Sequence, residues 1–201
     1  MPRVDTDTFY RNALAQYGPN AEGVHWNSER AQRVRFDALL GFLPANLSRV
    51  SIVDVGCGLG DLYGYLSAIG RLPASYIGID VVVPMVEIAR ERTGCEILHR
   101  DVLADPLPGA DYYLCSGAMN TLTADESERF IRRCFAVAGR GFVFNMLKGR
   151  TRPGAFHHCM PDDLRALAEE LGVEPRFIDD YLPADFTAAF LRQGIDHPQS
   201  G

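Results

Sequence analysis

The stretch from Arg49 to Leu62 constrains the chain more than any other. Val50-Ser51-Ile52-Val53-Asp54-Val55 is short, rich in β-branched residues and almost continuously apolar, the pattern of a strand buried on both faces. It runs at once into Gly56-Cys57-Gly58-Leu59-Gly60 and then into a helical pattern from Asp61. Glycines in such a turn let the backbone bend sharply and let a ligand come close, and the following helix exposes unpaired N–H groups at its first turn. A buried strand that gives way to a helix belongs in a parallel sheet, because parallel neighbours are joined by right-handed helical crossovers.

The remaining pattern repeats this unit. Two helices come first, from Thr6 to Tyr17, stopped by Gly18-Pro19, and from an N-cap at Ser28 to Leu43 before Pro44. After the helix from Asp61 to Ile69, Tyr76-Ile77-Gly78-Ile79-Asp80 reads as the next strand, and Pro84 opens a helix ending near Thr93-Gly94. Glu96 to His99 and Asp111 to Cys115 are further strands. Thr123 with Glu126 three positions on predicts a capped helix to Val137, and Gly141 to Met146 a fifth strand. A helix from Pro161 to Leu171 precedes two strands, Pro175 to Tyr181 and Asp185 to Arg192, too close together for a helix and therefore a hairpin. The expected fold is α/β, a doubly wound, seven-stranded, mostly parallel sheet with an antiparallel C-terminal strand, and ligands should bind beyond the carboxyl ends of its first strands.

At 201 residues the chain has room for one such domain. The expected division is 1–47 as N-terminal helices forming a lid, 48–193 as the binding and catalytic domain, and 194–201 as a polar tail. The net charge of −6, with no long basic run, disfavours nucleic acid. With no run of 18 apolar residues and no signal-like start at Met1-Pro2-Arg3, a cytoplasmic protein without membrane contact is expected. Five cysteines without a C-x-x-C pair read as reduced, mostly buried thiols. The one soft-ligand cluster, His157-His158-Cys159, would point its neighbours to opposite sides, so no metal is expected.

Spacing separates two uses of the glycine turn. A dinucleotide turn is G-x-G-x-x-G, whereas here the third glycine falls two residues after the second, and Asp61 fills the next slot. Carboxylates at Asp54 and Asp61 would repel a pyrophosphate and attract an amino group. Asp80, at the end of the next strand, can accept hydrogen bonds from both hydroxyls of a ribose. Asp101 can accept one from an adenine amino group while Val102 packs on the ring. Across the crevice, the backbone carbonyls of Cys115-Ser116-Gly117 can hold an ammonium. An ammonium, a ribose and an adenine with no phosphate between them describe S-adenosylmethionine.

On these residues the chain resembles the class I S-adenosylmethionine-dependent methyltransferases, through the successive motifs Val53 to Leu62, Tyr76 to Asp80, His99 to Val102 and Asp111 to Gly117. The likeness runs from Ser48 to Arg192, since the Asp185-Phe186-Thr187 strand resembles that family's reversed last strand. Ser116 to Asn120, Gly141 to Met146 and Asp180 to Thr187 are similar to a group of uncharacterised small bacterial methyltransferases, a likeness that names no acceptor. The resemblance implies that Gly56, Gly58 and Gly60 line the methionine moiety with Asp54 beneath them and Cys57 in a variable slot. It also implies that Asp80 with Val81 binds the ribose, that Asp101 and Val102 hold adenine, and that Ser116 lies near the sulfonium.

The implied reaction moves a methyl group to a small-molecule acceptor, its O, N or C atom open. Acceptor-side candidates are Trp26, ahead of the second helix, and Arg150 and Arg152 in the loop after the fifth strand, which would suit an acidic acceptor. His157 or His158 in the same loop is a candidate general base. The amino-group methylation signature Asn/Asp-Pro-Pro-Tyr is absent after Leu114, where Cys115-Ser116-Gly117-Ala118 stands instead. Two other readings are a non-catalytic S-adenosylmethionine-binding interaction subunit and an NAD-dependent oxidoreductase, the latter opposed by the glycine spacing and Asp54.

Overall fold

Side-chain caps set several helix starts at the positions the sequence marks. Ser28 Oγ accepts from the Ala31 N–H at 3.1 Å. Thr123 and Glu126 form a reciprocal capping box, the Glu126 N–H on Thr123 Oγ1 at 3.3 Å and the Thr123 N–H on Glu126 Oε2 at 3.0 Å. The computed structural model describes residues 5–20, 28–150 and 156–193.

In chain order the elements are α1 (Thr6–Tyr17), α2 (Glu29–Leu40), β1 (Ser51–Val55), α3 (Asp61–Ala68), β2 (Ser75–Asp80), α4 (Val83–Thr93), β3 (Glu96–His99) and β4 (Ala110–Ser116). A 3-10 turn, Ala118–Thr121, leads to α5 (Ala124–Val137), β5 (Ala138–Lys148) and a two-residue strand β6 (His158–Cys159). A second 3-10 turn, Pro161–Leu164, leads to α6 (Arg165–Glu170), β7 (Pro175–Ile178) and β8 (Asp185–Leu191).

The strands lie in the order β3-β2-β1-β4-β5-β8-β7, with β6 paired to β5 off that path. β1 to β5 are mutually parallel, while β8 runs antiparallel to both β5 and β7. This is the doubly wound sheet with a closing hairpin that the sequence predicts. Three local differences have plain causes. The 161–171 helix is split because Pro161 starts a tight 3-10 turn before the α-helix. β5 begins at Ala138, the cap of α5, without a loop, so it is longer than Gly141 to Met146. Strand β6 and the 118–121 turn are too short to leave a periodic trace.

Alternation along the central strands sends side chains to two cores. Val53, Val55, Tyr113 and Cys115 pack with Phe130, Ile131 and Phe135 of α5 and Leu167 of α6. Ile52, Tyr112 and Leu114 pack on the opposite face with Leu62 and Leu66 of α3, Val86 and Ala89 of α4, and Phe36, Leu39 and Leu40 of α2. Helix α2 is therefore part of the sheet's helical layer and not a separate N-terminal unit with α1. In α1 only Ala13 is fully buried. Among the described residues, no helix is long and apolar enough to cross a membrane.

One buried ion pair fastens α2 to the last strand. Arg35 Nε and Nη2 donate to the two carboxylate oxygens of Asp185 at 2.8 and 2.7 Å, with both side chains almost inaccessible. Removing one partner strands the other as a buried charge, so Asp185→Leu or Arg35→Met is expected to cost about 3–5 kcal/mol in denaturant titrations. The double variant should recover much of that loss, because neither charge is then left unpaired.

Candidate functional site

The first strands end at a common level, and the chain reverses there by construction. Gly56, Gly58 and Gly60 all take positive φ, at 74°, 54° and 81°. Gly56 also permits a close approach, since a Cβ there would fall 2.1 Å from the Cβ of Ala118 in the turn after β4. A Cβ on Gly60 would fall 2.6 Å from Thr93 Cγ2, so this glycine lets α3 pack against α4.

The turn's N–H groups are spent inward. The Gly56 and Cys57 N–H groups both donate to the Ile79 carbonyl at the end of β2, at 2.7 and 3.1 Å. The Gly58 N–H donates to Asp80 Oδ2 at 2.9 Å, and the Val82 N–H at the start of α4 donates to Asp80 Oδ1 at 2.9 Å. A carboxylate has lone pairs left after two such bonds, so Asp80 keeps acceptor capacity toward a ligand.

Beneath the turn lies Asp54, which is 2% exposed. Tyr76 Oη donates to its Oδ2 at 2.6 Å. Burial pushes the Asp54 carboxyl up to about 7; the Tyr76 hydrogen bond partly opposes this, and the carboxylates of Asp80 and Asp61 add to it. Burial also raises the Asp80 carboxyl, against the pull of its backbone donors. The Cys57 thiol is driven well above its usual range by burial and by the same carboxylates, which keeps it protonated and excludes it as a nucleophile.

These groups open on one cavity of about 850 Å³, a size in the upper part of the range of about 300–1,000 Å³ typical of small-molecule sites. Asp54, Gly56, Cys57, Gly58, Asp80, Val81, Asp101, Val102 and Ser116 all line it, and Gly60 does not. Asp101 doubles as a turn residue, its Oδ1 accepting from the Leu103 N–H at 2.8 Å. The structure thus brings together nine of the ten residues expected on the cofactor side. The tenth, Gly60, serves helix packing.

The acceptor-side expectations fare differently. His157 is buried, its Nδ1 lies 3.2 Å from Ser127 Oγ, and its N–H donates to the Asn120 carbonyl. Burial, and to a lesser degree His158, lower its pKa. His158 has its Nδ1 3.2 Å from the Phe156 carbonyl, and neither histidine lines the cavity. Their contacts with Ser127 and the Phe156 carbonyl hold the segment around β6 in place, off the cavity lining. Arg150 is exposed and away from the cavity wall. Trp26 and Arg152 lie outside the described residues. Among the described residues, no group of three metal-ligating side chains exists.

Sequence reasoning missed four contributors. Tyr10 of α1 reaches the cavity and feels Asp80; burial raises its hydroxyl pKa strongly. Phe156 lines the same wall and meets Phe9 of α1 edge-on at 6.0 Å. Asn120, in the 3-10 turn after β4, also lines the cavity, and its Oδ1 is enclosed without a hydrogen-bond partner. Asn145 on β5 sits behind Ser116 and fixes its hydroxyl at 2.9 Å. None has a local signal, because each acquires its place through a contact distant in sequence.

Comparison with known proteins agrees with this geometry. Residues 52–141 match a family model described as a methyltransferase domain. No curated protein sequence matches significantly. Among solved structures, the magnesium protoporphyrin IX methyltransferase of Synechocystis PCC 6803 with bound S-adenosylmethionine superposes with a TM-score of 0.69 at 16% identity, covering 96% of this chain and 100% of its own. A DhpI–SAM–HEP complex gives 0.72 at 15% identity over 92% of this chain and 94% of that one. The pyocyanin biosynthetic protein PhzM gives 0.67 at 19% identity over 91% and 61%. Residues 52–141 thus match the methyltransferase-domain model, and the sheet they begin has the fold of these solved methyltransferase structures.

Proposed function

We propose that the chain binds S-adenosylmethionine over the ends of β1 to β4 and transfers its methyl group to a small-molecule acceptor held in the same cavity. The carrying observation is that Asp54, the glycine turn, Asp80, Asp101 with Val102, and Ser116 all face one cavity, although they come from four separate strand ends. The donor set fits the cofactor by chemistry. Asp80 supplies a buried acceptor for ribose hydroxyls, Asp101 one for an amino group on the ring that Val102 packs, and Asp54 a carboxylate beneath an ammonium. The cofactor, when bound, supplies an activated methyl group.

The chain's own part is binding, orientation and exclusion of water. The glycine turn fixes one wall, and α1 lines another through Thr6, Asp7 and Tyr10. The solved structures named above include a magnesium protoporphyrin IX methyltransferase and a pyocyanin biosynthetic protein, which supports a small-molecule acceptor here. The dinucleotide alternative is disfavoured, because three successive N–H groups of the turn are already bonded to Ile79 and Asp80 and are lost to a pyrophosphate. A binding-only subunit is disfavoured by the apolar space beyond the cofactor motifs, around Leu147 and Phe156.

Two measurements test this reading. Calorimetry should detect S-adenosylmethionine or S-adenosylhomocysteine binding at micromolar concentrations, and Asp80→Ala should weaken it by about 1–3 kcal/mol, through loss of charge-assisted hydrogen bonds and of the anchor for Gly58. A wild type that binds neither compound rules the proposal out.

The second uses pH. In the unliganded protein the neutral form of Asp54 is favoured; its contribution to stability is complete below the ordinary value of 3.8 and is lost as pH rises through about 7. A ligand ammonium reverses that preference. Affinity should therefore increase as pH rises through about 7, with proton release detectable in buffers of different ionisation enthalpy. Asp54→Asn should abolish the proton release, and equal release in that variant would remove Asp54 from the role.

A further inference from the structure

The strand order divides the cavity in two. Over β3, β2 and β1 stand most residues of the cofactor motifs; over β4 and β5 the wall includes Ser116, Ala118, Asn120, Leu147 and Phe156. This second half is mostly apolar, and its one hydroxyl at a strand end belongs to Ser116. What that hydroxyl can do is decided by residues behind it.

Ser116 Oγ and Asn145 Oδ1 are 2.9 Å apart, on neighbouring strands in register. On its other side Asn145 Nδ2 meets Thr187 Oγ1 at 2.6 Å and Tyr181 Oη at 3.4 Å, and Thr187 Oγ1 lies 3.0 Å from Tyr181 Oη. Asn145 and Thr187 are 1% and 0% exposed, so every polar atom of the pair must be satisfied within the protein. Two orientations of the amide can be compared by counting. With Nδ2 toward Thr187 and Tyr181, both N–H groups have acceptors and Oδ1 takes the Ser116 proton. With the amide reversed, one N–H reaches Ser116 and the other is buried with no acceptor, a cost of the size that decides such choices. The chain Ser116→Asn145→Thr187→Tyr181 therefore has a fixed direction. Ser116 spends its single proton inward, and only its lone pairs face the cavity.

From this, resting on the methyltransferase reading above, we infer that Asn145 is a positioning residue that makes Ser116 a hydrogen-bond acceptor, selecting a methyl acceptor that presents an O–H or N–H and carries no negative charge. The charge half follows from the lining. Asp54, Asp80, Asp61 and Asp101 stand on it, while Arg35 is bound to Asp185 and Arg100 donates to the Pro106 carbonyl. Arg35 and Arg100 also stand on the lining, but carboxylates outnumber them and both are already engaged with acceptors, so an anion entering this space meets mostly like charge. The acidic acceptor suggested by Arg150 and Arg152 is replaced here by an uncharged or cationic one. Leu147 and Phe156 would receive its apolar body.

The test uses matched ring probes on protein saturated with S-adenosylhomocysteine, with binding read by ligand-observed NMR. Phenol and aniline carry the donor, anisole lacks it, and benzoate is the anion. In the wild type phenol and aniline should bind about fivefold or more tightly than anisole, and benzoate more weakly than phenol. Ser116→Ala should bring phenol and anisole within about twofold. Asn145→Leu should do the same, and adding it to Ser116→Ala should change the ratio no further, a non-additivity that a merely structural role for Asn145 would not produce. If Asn145→Leu does not fold, Ser116→Ala alone decides. The inference is overturned by equal phenol and anisole binding in the wild type, by a ratio unchanged in Ser116→Ala, by benzoate binding tightest, or by a Ser116→Ala protein that can no longer be saturated, which would confine Ser116 to the cofactor. Failure of the wild type to bind S-adenosylhomocysteine is a different result and overturns the methyltransferase reading instead.

Discussion

The end of β2 is the point on which the rest of the site depends. The Ile79 carbonyl and the Asp80 carboxylate together accept four backbone N–H groups at this edge, those of Gly56, Cys57, Gly58 and Val82. In a parallel sheet the ends of neighbouring strands expose such groups to the crevice, and something must satisfy them. Here strand β2 satisfies the loop of strand β1. The consequence is chemical: the turn's N–H groups point into the protein, and the crevice is left with carboxylates and apolar surface in place of an anion-binding nest. A cofactor held by its amino group, ribose and base suits such a surface, and one held by phosphates does not.

The same arrangement explains the unusual state of Asp54. A carboxylate on a central parallel strand is surrounded by apolar neighbours, and its single strong donor, Tyr76, does not offset the desolvation. Placing the group there costs stability near neutral pH, and such costs are found where a ligand recovers them. The Arg35–Asp185 pair differs, because each buried ion is compensated by the opposite charge of the other through two hydrogen bonds. Two buried carboxylates of one sheet thus have opposite roles, decided by whether the partner is a phenol or a guanidinium.

Much of this architecture was legible in the residues alone. The run Val50 to Val55, the Thr123–Glu126 spacing and the two close strands after Pro175 each carry a local period or cap that survives folding unchanged. The carboxylates at strand ends were legible as well, because topology alone carries Asp54, Asp80 and Asp101 to one edge. The acceptor side was not. His157 and His158 look like free loop histidines in sequence, yet contacts with Ser127, the Asn120 carbonyl and the Phe156 carbonyl hold them off the cavity lining. Tyr10, Phe156 and Asn145 acquire their roles through contacts with residues far along the chain, and no window of ten or twenty residues contains both partners.

That asymmetry has a physical basis. Cofactor-side residues sit at the ends of elements whose period fixes their direction, so a pattern in one dimension predicts a position in three. The residues proposed for the acceptor side occupy the wall where β4, β5, α1 and the segment before β6 converge, and their donor or acceptor character depends on buried partners. Ser116 illustrates the point: its hydroxyl is chemically ambivalent in sequence, and only the amide of Asn145, with both N–H groups committed to Thr187 and Tyr181, removes the ambivalence. Specificity at such a wall is set by the direction in which the buried protons run, a property of the packed core more than of the surface that meets the ligand.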